Sequence, residues 1–447
     1  MVGYSRRKFL GTSGVVVGGV GLTARSATAA PRERFLVNTA SVDDRSNLDV
    51  VHRLEPVSLS VVRGAERDVK DLGERYARDV SVARTDPVDR PARASESASD
   101  EPLYDLQWDK RDQRIPEVHE VTRGEGSRVA VIDTGIAADH PDLERAVNEG
   151  LSRNFTEDDL GVGEPYGGYH GTHVAGIVAA SDRNEVGVVG SAPAAELVDC
   201  RVFSETDAAE TLTGFFGDVL AAIVYSAEID ADAANLSLGA YLDRRGLGPF
   251  WGKALNRTAT YATRRGTLLV HAAGNVSTDL QHDGNHVDTS ESARSVNVSA
   301  TGPVGFAWGD PGLEAPPHAP SFYTNYGTNA IDLAAPGGSA SADVLDDDGD
   351  DRPEGWFRDF VLNCVAIPDY AADGTYEGTE YGYDWVAGTS MAAPQVTAAV
   401  ALVRSVHPDF TAGQVQTALE QAASVPEGYD KSYYGSGYLN TLGAVQN

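Results

Sequence analysis

From Gln107 onward, short apolar runs alternate with helical patterns, and this alternation narrows the fold more than any other feature of the chain. Val129-Ala130-Val131-Ile132 reads as a strand, and a helical pattern follows from His173 to Ala180. Leu197 to Phe203 reads as the next strand and Phe215 to Ala227 as the next helix. Asn235-Leu236-Ser237-Leu238 and Thr267-Leu268-Leu269-Val270 add two more strands. Strands that are apolar at nearly every position are buried on both faces. Such alternation implies an α/β fold, a mostly parallel sheet covered by helices on both faces. No internal repeat is visible.

The first hundred residues read differently. Ser5-Arg6-Arg7-Lys8-Phe9-Leu10 precede a glycine-rich apolar run, Gly14 to Leu22, and the small residues Ala27-Thr28-Ala29 follow. A charged start, an apolar centre and a small-residue cleavage pattern make residues 1–30 an export signal. The paired arginines give it a twin-arginine form. The twin-arginine export machinery is therefore an expected partner, and the mature protein is expected outside the cell. The apolar run is too short to serve as a membrane-spanning anchor. Residues 31–98 carry strand patterns at Arg34 to Val37, Val57 to Val62 and Val80 to Ala83, with a helical pattern from Ala65 to Ala77. Pro, Ala, Ser and charge then take over between Thr85 and Pro102, as in a linker. A small α+β module on a soft linker suggests a propeptide, with an independent domain as the other reading. Residues 99–447 form the main domain, and no further domain is expected after it.

Charge marks the same boundary. The 447-residue chain holds 66 Asp and Glu against 36 Lys and Arg, for a net charge of −30. Residues 1–98 hold 16 basic and 13 acidic residues, which leaves 20 against 53 and a charge of −33 downstream. Lys occurs only at 8, 70, 110, 253 and 431. An acidic, Lys-poor surface stays hydrated in concentrated salt, where screening removes its self-repulsion. Salt adaptation is the expectation, with an ordinary acidic secreted protein as the alternative. This charge argues against nucleic-acid binding. The two cysteines, Cys200 and Cys364, are too few for a disulfide scaffold and read as buried thiols.

Three motifs carry chemistry, in the order Asp, His, Ser. Val131-Ile132-Asp133-Thr134-Gly135 ends an apolar strand in a carboxylate and a turn glycine. Alone, such an Asp reads as a cap or turn residue. His170-Gly171-Thr172-His173-Val174-Ala175-Gly176 opens a helix of small residues. Its His-x-x-His spacing lacks the acidic residue of a zinc helix, so no zinc is expected. Gly388-Thr389-Ser390-Met391-Ala392-Ala393-Pro394 precedes an apolar helical pattern. Ser390 thus sits at a helix N-terminus, where backbone N–H groups favour a developing anion. A serine hydroxyl needs a base, a histidine supplies one, and a buried carboxylate holds its tautomer. In a fourth motif, Ala272-Ala273-Gly274-Asn275, the Asn amide is placed to donate to an oxyanion together with the Ser390 N–H. A plain turn Asn is the alternative there. Asn275-Val276-Ser277 also matches a glycosylation sequon, read as chance because a glycan would block the site.

These motifs resemble the subtilisin (subtilase) family of serine peptidases, and within it secreted haloarchaeal halolysin-type enzymes. The resemblance runs from about Gln107 to Leu442. It includes Asp139 to Leu143, Gly187 to Pro193, Asn235 to Gly239, Asn325 to Gly327, Ile331 to Gly337 and Gly435 to Asn440. It implies a monomeric serine endopeptidase with Asp133, His170, Ser390 and Asn275 as catalytic residues. Protein or peptide substrates would pair with Ser237, Leu238 and Gly239, and Ala272, Ala273 and Gly274 would wall the pocket. Residues 31–98 would be the inhibitory propeptide. Structural calcium is implied at Asp142, Asn184 and the carbonyls of Asp182, Val186 and Val188, with Asp100, Glu101 or Gln107 as a further ligand.

The chain also departs from that pattern. Val276 to Val298 lacks the usual Tyr-Pro pocket edge, which leaves side-chain preference open. An acidic insertion, Asp343 to Asp351, lacks the spacing of a helix-loop-helix calcium loop and reads as a solvated loop. An α/β-hydrolase esterase would need a Gly-x-Ser-x-Gly elbow at Ser390, which is absent. A catalytically silent binding protein on this fold would have lost a catalytic residue, and all four are present.

Overall fold

The computed structural model describes residues 33–40, 42, 47–85, 103–163, 168–206, 209–239, 241–243, 248–282, 286–288, 292, 294–306, 313–341, 355–370 and 376–447. The export signal, the linker from 86 to 102, the ligand candidates Asp100 and Glu101, and the acidic insertion from Asp343 to Asp351 lie outside the described residues.

The N-terminal module contains β1 (Glu33–Val37), β2 (Asp49–Leu54), β3 (Leu59–Gly64), α1 (Glu66–Lys70), β4 (Tyr76–Arg78) and β5 (Ser81–Thr85). Its sheet has the order β2-β3-β1-β4 and is antiparallel where β1 meets β3 and β4. The helical pattern over Ala65 to Ala77 yields only one short helix. Gly73 turns the chain at φ +69°, and Tyr76–Arg78 then pairs with β1. The expected last strand forms but leaves the module's sheet. It pairs instead with a downstream strand, β10, introduced below.

Short helices α2 (Trp108–Asp112) and α3 (Ile115–His119) open the main domain. Then come β6 (Arg128–Asp133), β7 (Arg153–Asn154), α4 (Gly168–Ala179), β8 (Glu196–Arg201), β9 (Phe203–Thr206), β10 (Ala209–Phe215) and α5 (Phe216–Glu228). They are followed by β11 (Ala233–Leu236), β12 (Tyr241–Asp243), α6 (Gly248–Arg265), β13 (Leu268–Ala272), β14 (His286–Asp288), β15 (Ser295–Thr301) and β16 (Leu333–Pro336). A hairpin, β17 (Val361–Tyr370) and β18 (Tyr376–Val386), precedes α7 (Thr389–Val406), α8 (Ala412–Ala422), α9 (Lys431–Tyr434) and α10 (Thr441–Gln446).

The central sheet is parallel throughout, with seven strands in the order β16-β15-β13-β11-β6-β8-β7. Successive residues of β6 feed opposite cores. Val129 and Val131 face the layer of α4 and α7, while Ala130 and Ile132 face α5 and α6. The expected two-faced α/β architecture is therefore present. On the α5–α6 face the module adds a third layer: Leu36, Leu59 and Val61 join one apolar cluster with Phe216, Leu220 and Trp251. Cys200 and Cys364 are both buried and free, and burial raises both thiol pKa values. No helix among the described residues is long and apolar enough to cross a membrane.

Candidate active site

Strand β6 ends at Asp133, and the first turn of α4 carries His170. His170 Nδ1–H donates to Asp133 Oδ1 at 2.7 Å, the carboxylate being able only to accept. Asp133 Oδ1 also accepts from the Thr134 N–H at 2.7 Å. Thr134 Oγ1 accepts from the Gly171 N–H at 3.0 Å, and Thr172 Oγ1 accepts from the Ala137 N–H at 2.9 Å. The helix start is thus stitched to the turn after the strand. This close approach needs Gly171, because a Cβ there would stand 2.2 Å from the Gly135 carbonyl oxygen. Gly135 itself has φ +112°, a conformation that favours glycine.

Asp133 and His170 are both buried, and His170 Nε2 has no hydrogen-bond partner. The second histidine of the motif is spent elsewhere. His173 Nε2 lies 3.2 Å from the carbonyls of Val361 and Asp384, and burial pushes its pKa down to about 3. It holds the hairpin to α4. A further carboxyl, Asp199 on β8, lies buried in the region of Asp133, and burial pushes its pKa up to about 7. Near neutral pH it therefore does not add a full second charge beside Asp133.

Ser390 lies in the first turn of α7. Its hydroxyl donates to the Ser237 carbonyl at 3.2 Å, and Ser237 Oγ donates to the Ser390 carbonyl at 2.8 Å. Asn235 Nδ2 donates to Ser237 Oγ, and Thr397 Oγ1 to Asn235 Oδ1, both at 2.9 Å. The segment expected to meet substrate is therefore tied to the serine helix. Ser237 and Leu238 continue the chain beyond the end of β11, and Leu238 is buried.

Asn275 is fixed by its oxygen. Oδ1 accepts from the Thr389 N–H at 2.9 Å and from Thr389 Oγ1 at 2.8 Å. Its Nδ2 is buried without a partner. The amide is thus locked with its donor end uncommitted. Ala272 and Ala273 are buried, and Gly274 turns the chain at φ +96°. Asn325, which drew notice only as part of a resemblance, braces this loop. Its Nδ2 donates to the Ala273 carbonyl at 2.8 Å, and its Oδ1 accepts from the N–H groups of Val276 and Thr278.

The expected calcium loop wraps Asp142. Val188 N–H donates to Asp142 Oδ2 at 3.0 Å, and the Asn184 amide lies 2.5 Å from Oδ1. Gly187 at φ +71° lets the loop close, because a Cβ there would meet Asp142 Oδ2 at 2.2 Å. The Asp142 carboxylate, the Asn184 amide oxygen and the carbonyls of Asp182, Val186 and Val188 would offer oxygen donors of the kind calcium takes, although the Asn184 nitrogen rather than its oxygen faces Asp142. Burial pushes the Asp142 pKa up to about 6, a cost that a bound cation would offset. The Asp182 carboxylate is paired with Arg123, so only its carbonyl is available. Gln107 does not join the set. Its amide pairs with the Val189 backbone, accepting from N–H at 2.8 Å and donating to the carbonyl at 3.1 Å. His140, Asp142 and Cys364 also cluster. Both His140 nitrogens are committed, one to the Asp142 N–H and one to the Gly382 carbonyl, which removes that ring as a metal ligand.

Residues 124–437 match the subtilase family of peptidases. The chain is 28% identical over 469 residues to halolysin of Haloferax mediterranei, covering 99% of this chain and 76% of that protein. It is 31% identical over 335 residues to an intracellular serine protease of Paenibacillus polymyxa, covering 73% and 82%. In fold it is similar to the epidermin leader peptide processing serine protease of Staphylococcus aureus. That likeness has a TM-score of 0.70 at 22% identity, over 93% of this chain and 98% of that one.

The tight seat of α4 gives one test. Gly171→Ala should push the helix off the Gly135 turn and stretch the His170–Asp133 bond. The downfield imidazole N–H proton resonance of that bond should be lost or shifted, and turnover should fall by about a hundredfold. An unchanged resonance with unchanged turnover would show that the close approach is dispensable.

Proposed function

The chain belongs to the subtilase family and is a serine protease, and we propose that it is a secreted, salt-adapted endopeptidase working through an acyl-enzyme. The observations that carry this reading are an oriented base with an uncommitted nitrogen and, on the serine side, a locked amide with an uncommitted donor. His170 is oriented by Asp133 with Nε2 unpartnered, and Asn275, bonded to the neighbour of Ser390, has an unpartnered Nδ2.

In this reading Ser390 Oγ leaves the Ser237 carbonyl and attacks the scissile carbon, passing its proton to His170 Nε2. Asp133 stabilises the imidazolium. Asn275 Nδ2 and the Ser390 N–H receive the negative oxygen of the tetrahedral intermediate. His170 then protonates the leaving amine, and water repeats the sequence to release the acyl group. Substrate lies extended against Ser237, Leu238 and Gly239, with its side chain between that segment and Ala272, Ala273 and Gly274.

We assign residues 1–30 to the export signal, 31–98 to an inhibitory propeptide and 99–447 to the catalytic domain. Support for the propeptide comes from β5, which adds to β10 as an antiparallel strand with Ala83 opposite Thr213. The module thus reaches the catalytic domain by strand addition, the mode an extended substrate would use. Calcium at the Asp142 loop would act structurally, tying the loop to the core. A serine-directed fluorophosphonate should label Ser390, an outcome that a catalytically silent binding protein on this fold would not give.

Ser390→Ala should abolish peptidase activity and fluorophosphonate labelling while leaving the circular dichroism intact. It should also retain residues 31–98, whereas active enzyme should begin between about residues 85 and 105. An active preparation starting near Ala30 would overturn the propeptide assignment. In the Ser390→Ala chain, a calcium chelator should lower the thermal midpoint by about 5 °C or more. Asp142→Asn should remove that response, and a response that survives it would place the ion elsewhere. At fixed calcium, the midpoint should rise by about 10 °C or more from dilute buffer to molar NaCl as the −33 charge is screened. A flat midpoint would defeat the salt adaptation alone.

A further inference from the structure

A buried ion cluster crosses from the N-terminal module into the catalytic domain. At its centre is Arg34 of β1, whose side chain is 4% exposed. Its guanidinium donates to Asp218 Oδ1 at 2.5 Å and Oδ2 at 3.3 Å, on the first turn of α5. It also donates to Glu157 at 2.9 Å and lies over the Phe215 ring, 4.2 Å from its centre. Asp79, in the module's last connection, lies 3.2 Å from Arg34 Nε but without hydrogen-bond geometry. Two more module residues complete the cluster. His52 Nε2 donates to Asp218 Oδ1 at 2.8 Å, and Arg63 pairs with Glu157.

Asp79 also caps α5, because its Oδ1 accepts from the Gly217 N–H at 3.0 Å. The helix is shaped to receive it. A Cβ on Gly217 would meet both Asp79 Oδ2 and Val61 Cγ2 at 2.7 Å. Asp79 faces Arg34 and Asp218, and through them the cluster takes in Glu157, Arg63 and, when protonated, His52. Two guanidinium groups therefore face three carboxylates. The cluster is one positive charge short unless a proton joins it, either on His52 or on one of the carboxyl groups.

We propose that Arg34 anchors the module to the catalytic domain, and that docking takes up a proton to balance the buried cluster. Asp79 is the best-placed acceptor, since burial pushes its pKa up to about 6, with Asp218 adding to the rise and Arg34 opposing it. The sign follows. A released Asp79 would have an ordinary carboxyl pKa of about 3.9, so between about pH 4 and 6 the docked form holds more of the proton. Docking is therefore tightest below that window and weakens as pH rises through it. For activation this means that the module loosens as pH rises, a consequence that rests on the propeptide reading above.

The test uses the full chain carrying Ser390→Ala, at fixed salt and calcium. Amide hydrogen exchange in β1, corrected for its intrinsic pH dependence, reports module opening, with β6 as the internal reference. Opening should rise by at least about tenfold from pH 4.5 to 6.5. Adding Asp79→Asn should remove most of that rise. Arg34→Met should raise opening by about tenfold or more at every pH while β6 exchange stays unchanged. Gly217→Ala, made from the catalytic side, should open the module in the same way without touching its fold. Opening that ignores Arg34→Met and Gly217→Ala, or a pH slope that survives Asp79→Asn, would overturn the proposal. In the Ser390 chain, Arg34→Met should speed the appearance of peptidase activity. If β1 opens as expected yet activity appears no sooner, the anchor stands and the inhibitory reading falls.

Discussion

The geometry of the Asp133–His170 pair depends on how closely α4 can approach the turn that follows β6. The Gly135 carbonyl occupies the space that any side chain at position 171 would fill. Only with that space empty can Thr134 Oγ1 reach the Gly171 N–H and hold the helix start in place. The same contact brings His170 to Asp133 at 2.7 Å. Gly176, five residues further along α4, repeats the demand. A Cβ there would stand 2.1 Å from Asn363 Oδ1 and 2.9 Å from Cys364 Sγ on β17. The helix is thus clamped between the sheet and the hairpin, and neither side leaves room for a larger residue. Interiors packed at crystal-like density transmit such constraints directly to the side chains they carry.

A second constraint acts on the donors. An Asn amide at a turn rotates freely unless its oxygen is claimed, and Thr389 claims it twice. Because Thr389 is the neighbour of Ser390, the same residue sets both the donor and the start of the serine helix. Asn325 then fixes the other end of the loop by capturing two N–H groups and one carbonyl. Donors held this way need no reorganisation when charge develops, which is where most electrostatic catalysis arises.

The fold class was legible because fully buried parallel strands announce themselves as unbroken apolar runs, as in Val129 to Ile132. The four motifs stand out in the sequence because each joins a chemically competent residue to the small residues its turn requires. Longer-range facts were not. Nothing in Ser81 to Thr85 says that this strand leaves its own module for β10, because a period-two pattern does not name its partner. The hairpin of β17 and β18 went unread, although Val361 to Ile367 is an apolar run, because neither strand names its partner. The two strands cover α4 and the Asp142 loop, with Gly382 receiving His140 and Asp384 receiving Tyr169. The bracing roles of Asn325 and Thr389 are likewise matters of distance in space rather than of spacing in the chain.

Salt gives the buried cluster around Arg34 its particular weight. Residues 31–98 hold 12 basic and 13 acidic residues and are nearly neutral, whereas the domain they cover carries −33. In dilute solution a charge of that size acts over a Debye length of about 30 Å, but in molar salt the reach falls to about 3 Å. Surface attraction between module and domain therefore contributes little in molar salt. Two terms survive there. Apolar burial persists and is met by Leu36, Leu59 and Val61 against α5 and α6. Ion pairs from which water and ions are excluded also persist, and Arg34 with Asp218, 4% and 1% exposed, is such a pair. Apolar contact supplies affinity without a fixed position. An unpaired Asp218 in that interface would be costly, so the guanidinium sets the register in which the module sits. In molar salt the position of the module over a domain of charge −33 would thus depend on the buried Arg34–Asp218 pair more than on surface attraction.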